Sequence, residues 1–256
     1  MDEQSGQDTI AMQRVAFPNG NEALVVMPHA EILPDAIVHA LRIPRPGALI
    51  LIAGGATDMG SSVFTHLAPL FSQGVADLAV ALDALIIDGG THAGVMALTG
   101  EGVAARQYRS PLLGIAPEQS VIYPGKISDA SDLVPLDPNH SHFVLVHSAE
   151  WGGETETMYA LAQHFSQQSP SVAVLADGGK ITKKELLFNV RQRRPVIVIE
   201  GSGRLADEIA CLWREKPSSF SDSELAEIIT QGDLHLFPLS GSHLDFMQLL
   251  QRQLER

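Results

Sequence analysis

Eight short apolar runs, at 23–27, 48–53, 84–87, 112–116, 143–146, 172–175, 196–199 and 234–237, are rich in Val, Ile and Leu. Most do not alternate with polar residues. Strands covered by helices on both faces have this composition, so the runs predict a buried, mostly parallel sheet. Stripes of helical spacing lie between many of them. Met59, Val63, Phe64, Leu67, Leu70 and Phe71 form one, with Asp58 expected as its N-cap and Gly74 as its stop. Gly94–Ala105 reads as a helix of small residues. Met158, Leu161, Ala162 and Phe165 give another stripe, and Leu205, Ile209, Leu212 and Trp213 a further one; helices are expected over Ser223–Gln231 and 244–254. Strand–helix alternation implies right-handed βαβ units. The expected fold is therefore α/β, a Rossmann-like three-layer sandwich with a mostly parallel sheet.

The beginning of the chain differs. Runs at 15–17 and 23–27 flank Pro18-Asn19-Gly20-Asn21, which reads as a hairpin turn. The longest stretch without a clear element, 123–142, holds Pro124, Gly125, Pro135 and Pro138 and reads either as a binding lid or as a plain connection. With no repeat and no linker, the chain reads as one domain over 1–256: an extension at 1–45, a core at 46–215 and a completion at 216–256.

Composition narrows the partners. The 256 residues carry 17 Lys and Arg against 30 Asp and Glu, a net charge of −13. That sign repels a phosphate backbone, so nucleic acid is not an expected partner. A small anionic ligand remains compatible, because backbone amides and one arginine suffice to hold a phosphate. The first residues, Met1-Asp2-Glu3-Gln4-Ser5-Gly6, lack the basic and apolar parts of a signal peptide. No run approaches the roughly 18 apolar residues of a membrane span. The single cysteine, Cys211, allows no internal disulfide and is expected in the core. A cytoplasmic location follows as the expectation.

The glycines carry the functional signal. Gly54-Gly55, Gly89-Gly90, Gly152-Gly153, Gly178-Gly179 and Gly201-Ser202-Gly203 each follow one of the apolar runs. In a parallel sheet all these strand ends share one edge, where α/β folds bind ligands. Gly201-Ser202-Gly203-Arg204-Leu205-Ala206 matches the Gly-x-Gly-x-x-Ala form of the dinucleotide fingerprint between a strand and a helix. It sits late in the chain and has no acidic ribose partner about 20 residues on, so it reads as phosphate-holding backbone. Arg204 either reaches the phosphate or pairs with Glu208 one turn on. Asp88 and Asp177, each before a Gly-Gly pair, read as ribose ligands, as general bases or as turn carboxylates. His140 and His142 form the only close histidine pair, and no metal is expected there. Trp151 reads as a base-stacking or a core aromatic.

Five ordered blocks then become familiar: Leu49-Ile50-Leu51-Ile52-Ala53-Gly54-Gly55-Ala56, residues 84–96 around Asp88-Gly89-Gly90-Thr91-His92, Leu113-Gly114-Ile115-Ala116-Pro117, His142-Phe143-Val144-Leu145-Val146, and residues 195–207 around Gly201-Ser202-Gly203-Arg204. They resemble the N-terminal cytoplasmic domain of melastatin-type transient receptor potential (TRPM) channels. A chain without a membrane span is similar to the prokaryotic relatives of that domain in the SLOG superfamily, which also holds the Lonely Guy phosphoribohydrolases and the Smf/DprA proteins. The resemblance implies a Rossmann-like fold that binds nucleotide-related ligands, since in some melastatin channels this region binds ADP-ribose. It carries over Gly54, Gly55, Ala56, Gly89, Gly90, Thr91, Gly94, Gly201, Ser202, Gly203 and Arg204 as ligand-lining. Thr57, Asp88, Val95, Gly178 and Gly179 complete the expected site. Lonely Guy enzymes follow a Pro-Gly-Gly-x-Gly-Thr motif with a catalytic Glu, whereas Val95 and Met96 stand here where that carboxylate would be.

The expected function is binding or sensing of a nucleotide derivative, ADP-ribose or an NAD-related molecule, with no required cofactor. The alternative is a nucleotide-processing hydrolase cutting an N-glycosidic or phosphoester bond, with Asp88, Glu101, Glu150, Glu154 or Asp177 as its carboxylate. A scaffold for homo-oligomers is the third reading.

Overall fold

The computed structural model describes residues 10–29, 32–55 and 60–256. The chain opens with a hairpin of strands β1 (Ala11–Ala16) and β2 (Glu22–Met27), turned by Gly20 at φ 86°. Helix α1 (Pro34–Leu41) leads to β3 (Leu49–Gly54). Helices α2 (Ser61–Pro69) and α3 (Ala76–Ala81) follow, then β4 (Leu85–Asp88), α4 (Gly94–Ala105) and β5 (Leu112–Pro117). Two two-residue strands, β6 (Val121–Ile122) and β7 (Val134–Pro135), pair with each other before β8 (His142–Val146). The rest alternates: α5 (Thr155–Ser166), β9 (Ser171–Ala176), α6 (Lys180–Arg191), β10 (Val196–Glu200), α7 (Arg204–Glu215), α8 (Ser223–Gln231), β11 (Leu234–Pro238) and α9 (His243–Leu254).

Nine strands form one sheet in the order β1-β2-β8-β5-β4-β3-β9-β10-β11. Only β1–β2 is antiparallel. Both faces are buried, which is why the strand residues read as unbroken apolar runs. Leu49 and Leu51 of β3 pack with α1, α5, α6, α7 and α8 on one face. Ile50 and Ile52 pack with α2, α3, α4 and α9 on the other. This is the expected Rossmann-like sandwich.

Two expectations are corrected. Gly74 does not stop a helix. The chain widens to a π-turn over 70–75 and continues as α3. Gly74 is small because α9 crosses there: a Cβ on it would lie 3.1 Å from the Phe246 ring. Asp58 and Met59 lie outside the described residues. Cys211 is exposed, because the buried stripe of α7 is Leu205, Ala206, Ile209 and Ala210, and the thiol sits beside Glu215 instead. The stretch 123–142, expected as a binding lid or a plain connection, is tied to the sheet by its backbone. Leu136 N–H donates to the Ile122 carbonyl, Asp137 N–H to the Gly90 carbonyl and His92 N–H to the Pro135 carbonyl, so the segment is stitched to the turn after β4.

Helix α4 packs directly on the π-turn. A Cβ on Gly102 would lie 2.6 Å from Ser72 Cα, which is backbone and cannot rotate away. Gly102→Ala is therefore expected to cost about 1–3 kcal/mol in denaturant unfolding. Gly89→Ala, whose Cβ meets nothing within 4 Å, should stay within about 0.5 kcal/mol of the parent.

Candidate functional site

The strand order locates the site. From β3 the chain moves outward through β4 and β5 to β8, then returns through α5 and places β9 on the other side of β3, from where it moves outward to β11. The order reverses between β3 and β9, and α/β sheets bind ligands at such a point, outside the carboxyl ends of the strands. Gly54-Gly55 ends β3, Asp177-Gly178-Gly179 follows β9, and Gly201-Ser202-Gly203-Arg204 follows β10. Three of the glycine turns thus adjoin the switch point.

An ion pair ties them together. Arg204 Nε donates to Asp177 Oδ1 at 2.7 Å and its Nη2 donates to Asp177 Oδ2. Arg204 therefore pairs with Asp177, not with Glu208. Both residues hold left-handed backbone, φ 37° and 56°, which is costly for side chains without a local reason. Asp177 is buried while half of Arg204 faces outward. Gly55 supplies the room: a Cβ there would lie 2.1 Å from Asp177 Oδ2. The Ser202 hydroxyl accepts from Asp177 N–H at 2.8 Å and donates to the Ile199 carbonyl, so it braces the two turns and is not offered to a ligand.

The two helix starts at this switch point differ. At α7, Leu205 N–H donates to the Gly178 carbonyl and Ala206 N–H to the Asp177 carbonyl. The fingerprint-like turn thus spends its first amides on the protein. Helix α6 follows Gly178 at φ 96° and Gly179, whose N–H donates to the Thr182 hydroxyl at 3.3 Å, while the N–H groups of residues 180–182 face no described carbonyl. An anion is accordingly best held at α6. Beside α7, a shallow depression of about 400 Å³ is lined by Glu200, Gly201, Asp207, Cys211, Arg214 and Glu215. Arg214 is already paired with Glu200 there, so that depression disfavours anions.

The turn after β4 holds a second assembly. Asp88 Oδ1 accepts from Gly90 N–H at 2.7 Å and lies 2.8 Å from His140 Nε2. His140 Nδ1 is 3.2 Å from Asp137 Oδ1, and Asp137 Oδ2 is 2.7 Å from Nδ1 of His92. Asp88, Asp137 and His140 are fully buried, and His92 reaches the surface. Burial opposes a charge on His140, but Asp88 and Asp137 on either side outweigh it and push its pKa up to about 9. His142, two residues on, has the opposite fate: burial and the charge of Arg14 push it down to about 4. The two histidines have separate partners and do not form one ligand set. Gly90 is tightly fitted, since a Cβ on it would lie 2.8 Å from Gly114 Cα. Asp88 Oδ2 and the Thr91 hydroxyl are buried without a partner.

The remaining expected residues fall as follows. Val95 is buried in the core, 2.8 Å below the position of a Cβ on Gly54. Gly94 begins α4 at φ 52°. Ala56 and Thr57 lie outside the described residues. Trp151 is exposed and so is not a core aromatic. Among the carboxylates, Glu101 and Glu150 are exposed, and Glu154 is buried at the start of α5. Burial raises the Glu154 carboxyl. Glu185 of α6 was not singled out from the sequence. Burial, then the charges of Glu154 and Asp88, push its carboxyl up to about 8.

The family described as "SLOG in TRPM, prokaryote" matches residues 47–246. Transient receptor potential cation channel subfamily M member 2 of Mus musculus is 28% identical over 244 residues, covering 80% of this chain and 16% of the relative. Its Rattus norvegicus counterpart is 30% identical over 200 residues, covering 64% of this chain and 13% of the relative. A subfamily M member-like 2 protein of Nematostella vectensis is 26% identical over 221 residues, covering 72% and 14%. The chain thus corresponds to a small part of these channels' length. No described helix is long and apolar enough to cross a membrane.

The His140 charge makes stability depend on pH. Its proton affinity rises on folding, so this contribution is complete below the ordinary 6.5 and is lost as pH climbs through about 9. Unfolding free energy measured in urea should fall by about 1–3 kcal/mol between pH 6.5 and 9. In His140→Gln the fall between pH 8 and 9 should vanish, leaving the fall below about 8 that the Glu185 carboxyl contributes, at a lower overall stability.

Proposed function

Because the chain belongs to the prokaryotic family of SLOG domains found in TRPM channels, we propose that it binds and senses a nucleotide-derived ligand, ADP-ribose or an NAD-related molecule. The observation that carries this reading is the convergence of three glycine turns on the β3–β9 switch point, around the Asp177–Arg204 pair. The pyrophosphate lies on the Gly178–Gly179 turn, against the N-terminus of α6. The outward half of Arg204 shares its charge between Asp177 and the phosphate. Gly54 and Gly55 leave the backbone of β3 open to the ligand. Neither the ion channel of the relatives nor its cation is carried over. The ligand is a soluble nucleotide, and a cytoplasmic setting suits it.

Thermal unfolding with ADP-ribose, NAD, AMP and ATP, followed by chromatography of each ligand, tests the reading. A ligand at 100 times its Kd adds about 2.7 kcal/mol of stability. The expected result is stabilisation by ADP-ribose or NAD with the ligand recovered intact. Consumption of the ligand would make the protein a hydrolase, and no stabilisation by any nucleotide would remove the reading. Arg204→Ala should weaken the stabilising nucleotide by about 1.5–3 kcal/mol.

A further inference from the structure

Helices α5 and α6 each connect parallel strands, so they run side by side with both N-termini at the ligand edge. Their contact is satisfied in the middle. The Tyr159 and Phe188 rings stack at 5.1 Å, and Asn189 Nδ2 donates to the Tyr159 hydroxyl at 2.8 Å. Arg194 Nη1 donates to Asn189 Oδ1 at 2.7 Å. One turn nearer the ligand edge the pattern breaks. Thr155 stands four residues before Tyr159, and Glu185 four before Asn189, so each lies on the helix face that carries the Tyr159–Asn189 contact. The Thr155 side chain is 2% exposed, and its hydroxyl has no hydrogen-bond partner. Glu154 adjoins it, its Oε2 accepting from Gly152 N–H at 2.8 Å. The entry loop of α5 leans on the first turn of α6, where a Cβ on Gly152 would touch Ile181 at 3.4 Å.

A buried hydroxyl without a partner, on the helix face turned to α6, leaves a place for a polar group from outside. Burial and the neighbouring charge of Glu154 keep a proton on Glu185 at neutral pH. That place therefore offers one acid that donates, one carboxylate that accepts and one hydroxyl that does both. Two acids repel an anion, while vicinal hydroxyls match this mixture of donors and acceptors. The anion-favouring Gly178–Gly179 turn runs directly into α6, so a phosphate would sit beside that place.

We propose that a notch between the N-terminal halves of α5 and α6, lined by Glu154, Thr155 and Glu185, takes the vicinal hydroxyls of a ribose whose phosphate rests on the Gly178–Gly179 turn. This rests on the nucleotide reading above and names the part of the ligand that these two helices read.

Calorimetric titration of the full chain with ADP-ribose and with inorganic pyrophosphate separates the two ideas. The parent should bind ADP-ribose at least tenfold more tightly than pyrophosphate. Glu185→Ala and Thr155→Val should each weaken ADP-ribose tenfold or more and leave pyrophosphate unchanged. Glu185→Gln, which keeps a donor, should retain most of the affinity. Thr155→Val should also raise the melting temperature, because it removes the unpartnered hydroxyl, and a merely structural threonine would not combine a higher melting temperature with weaker binding. Equal affinity of the parent for the two ligands, or unchanged ADP-ribose affinity in folded variants, would overturn the notch while leaving the glycine-turn site in place. Absence of binding by either ligand would overturn both. Stabilisation by magnesium ions that disappears in Glu185→Ala would assign the notch to a cation and overturn the proposal as well.

Discussion

A strand that pairs with a parallel neighbour cannot be reached by a tight turn; the chain must travel back across the sheet first. Here every pairing from β2 to β11 in the main sheet is parallel. Both faces are therefore covered by returning helices, the strands become apolar throughout, and all the strand-to-helix turns fall on one edge. The glycines follow from that geometry. At Gly55 and Gly90 a methyl group would strike Asp177 and Gly114, so the bare backbone is what lets neighbouring turns close up.

Polar groups buried at this edge are handled in pairs and chains. Asp177 is neutralised by Arg204, and the carboxylates Asp88 and Asp137 by one histidine between them. Removing one member of such a set leaves an uncompensated charge, which costs far more than the set contributes net. The long segment 123–142 serves this arrangement. It delivers Asp137 and His140 beneath the turn after β4, and its backbone is hydrogen-bonded to the residues it supports.

Much of the architecture was legible because periodicity and turn residues act locally. The apolar runs became strands, and the glycines after them fell on one edge of the sheet. What stayed hidden depended on neighbours distant in sequence. Gly74 looks like a helix stop until α9 is laid across it. Cys211 looks buried by composition, yet the stripe of α7 passes it by. Arg204 offers Glu208 as a local partner, and only the placement of β10 next to β9 provides Asp177. Glu185 carries no motif at all, and its environment is made by α5, two elements earlier. Short-range pattern thus reports which elements form, while side-chain partnerships belong to the strand order.

The placement of β9 has a consequence for how the molecule assembles. Residue 49 pairs with residue 171, whereas β1, β2, β8, β5, β4 and β3 are all complete by residue 146. Six strands can close into a sheet before β9 emerges from synthesis, with Leu49–Gly54 as a bare apolar edge. Such an edge is a template for wrong pairing, and so distant a contact is slow to form. The switch point is the last part of the sheet's centre to exist, and the interval before it closes is when the chain is most open to aggregation.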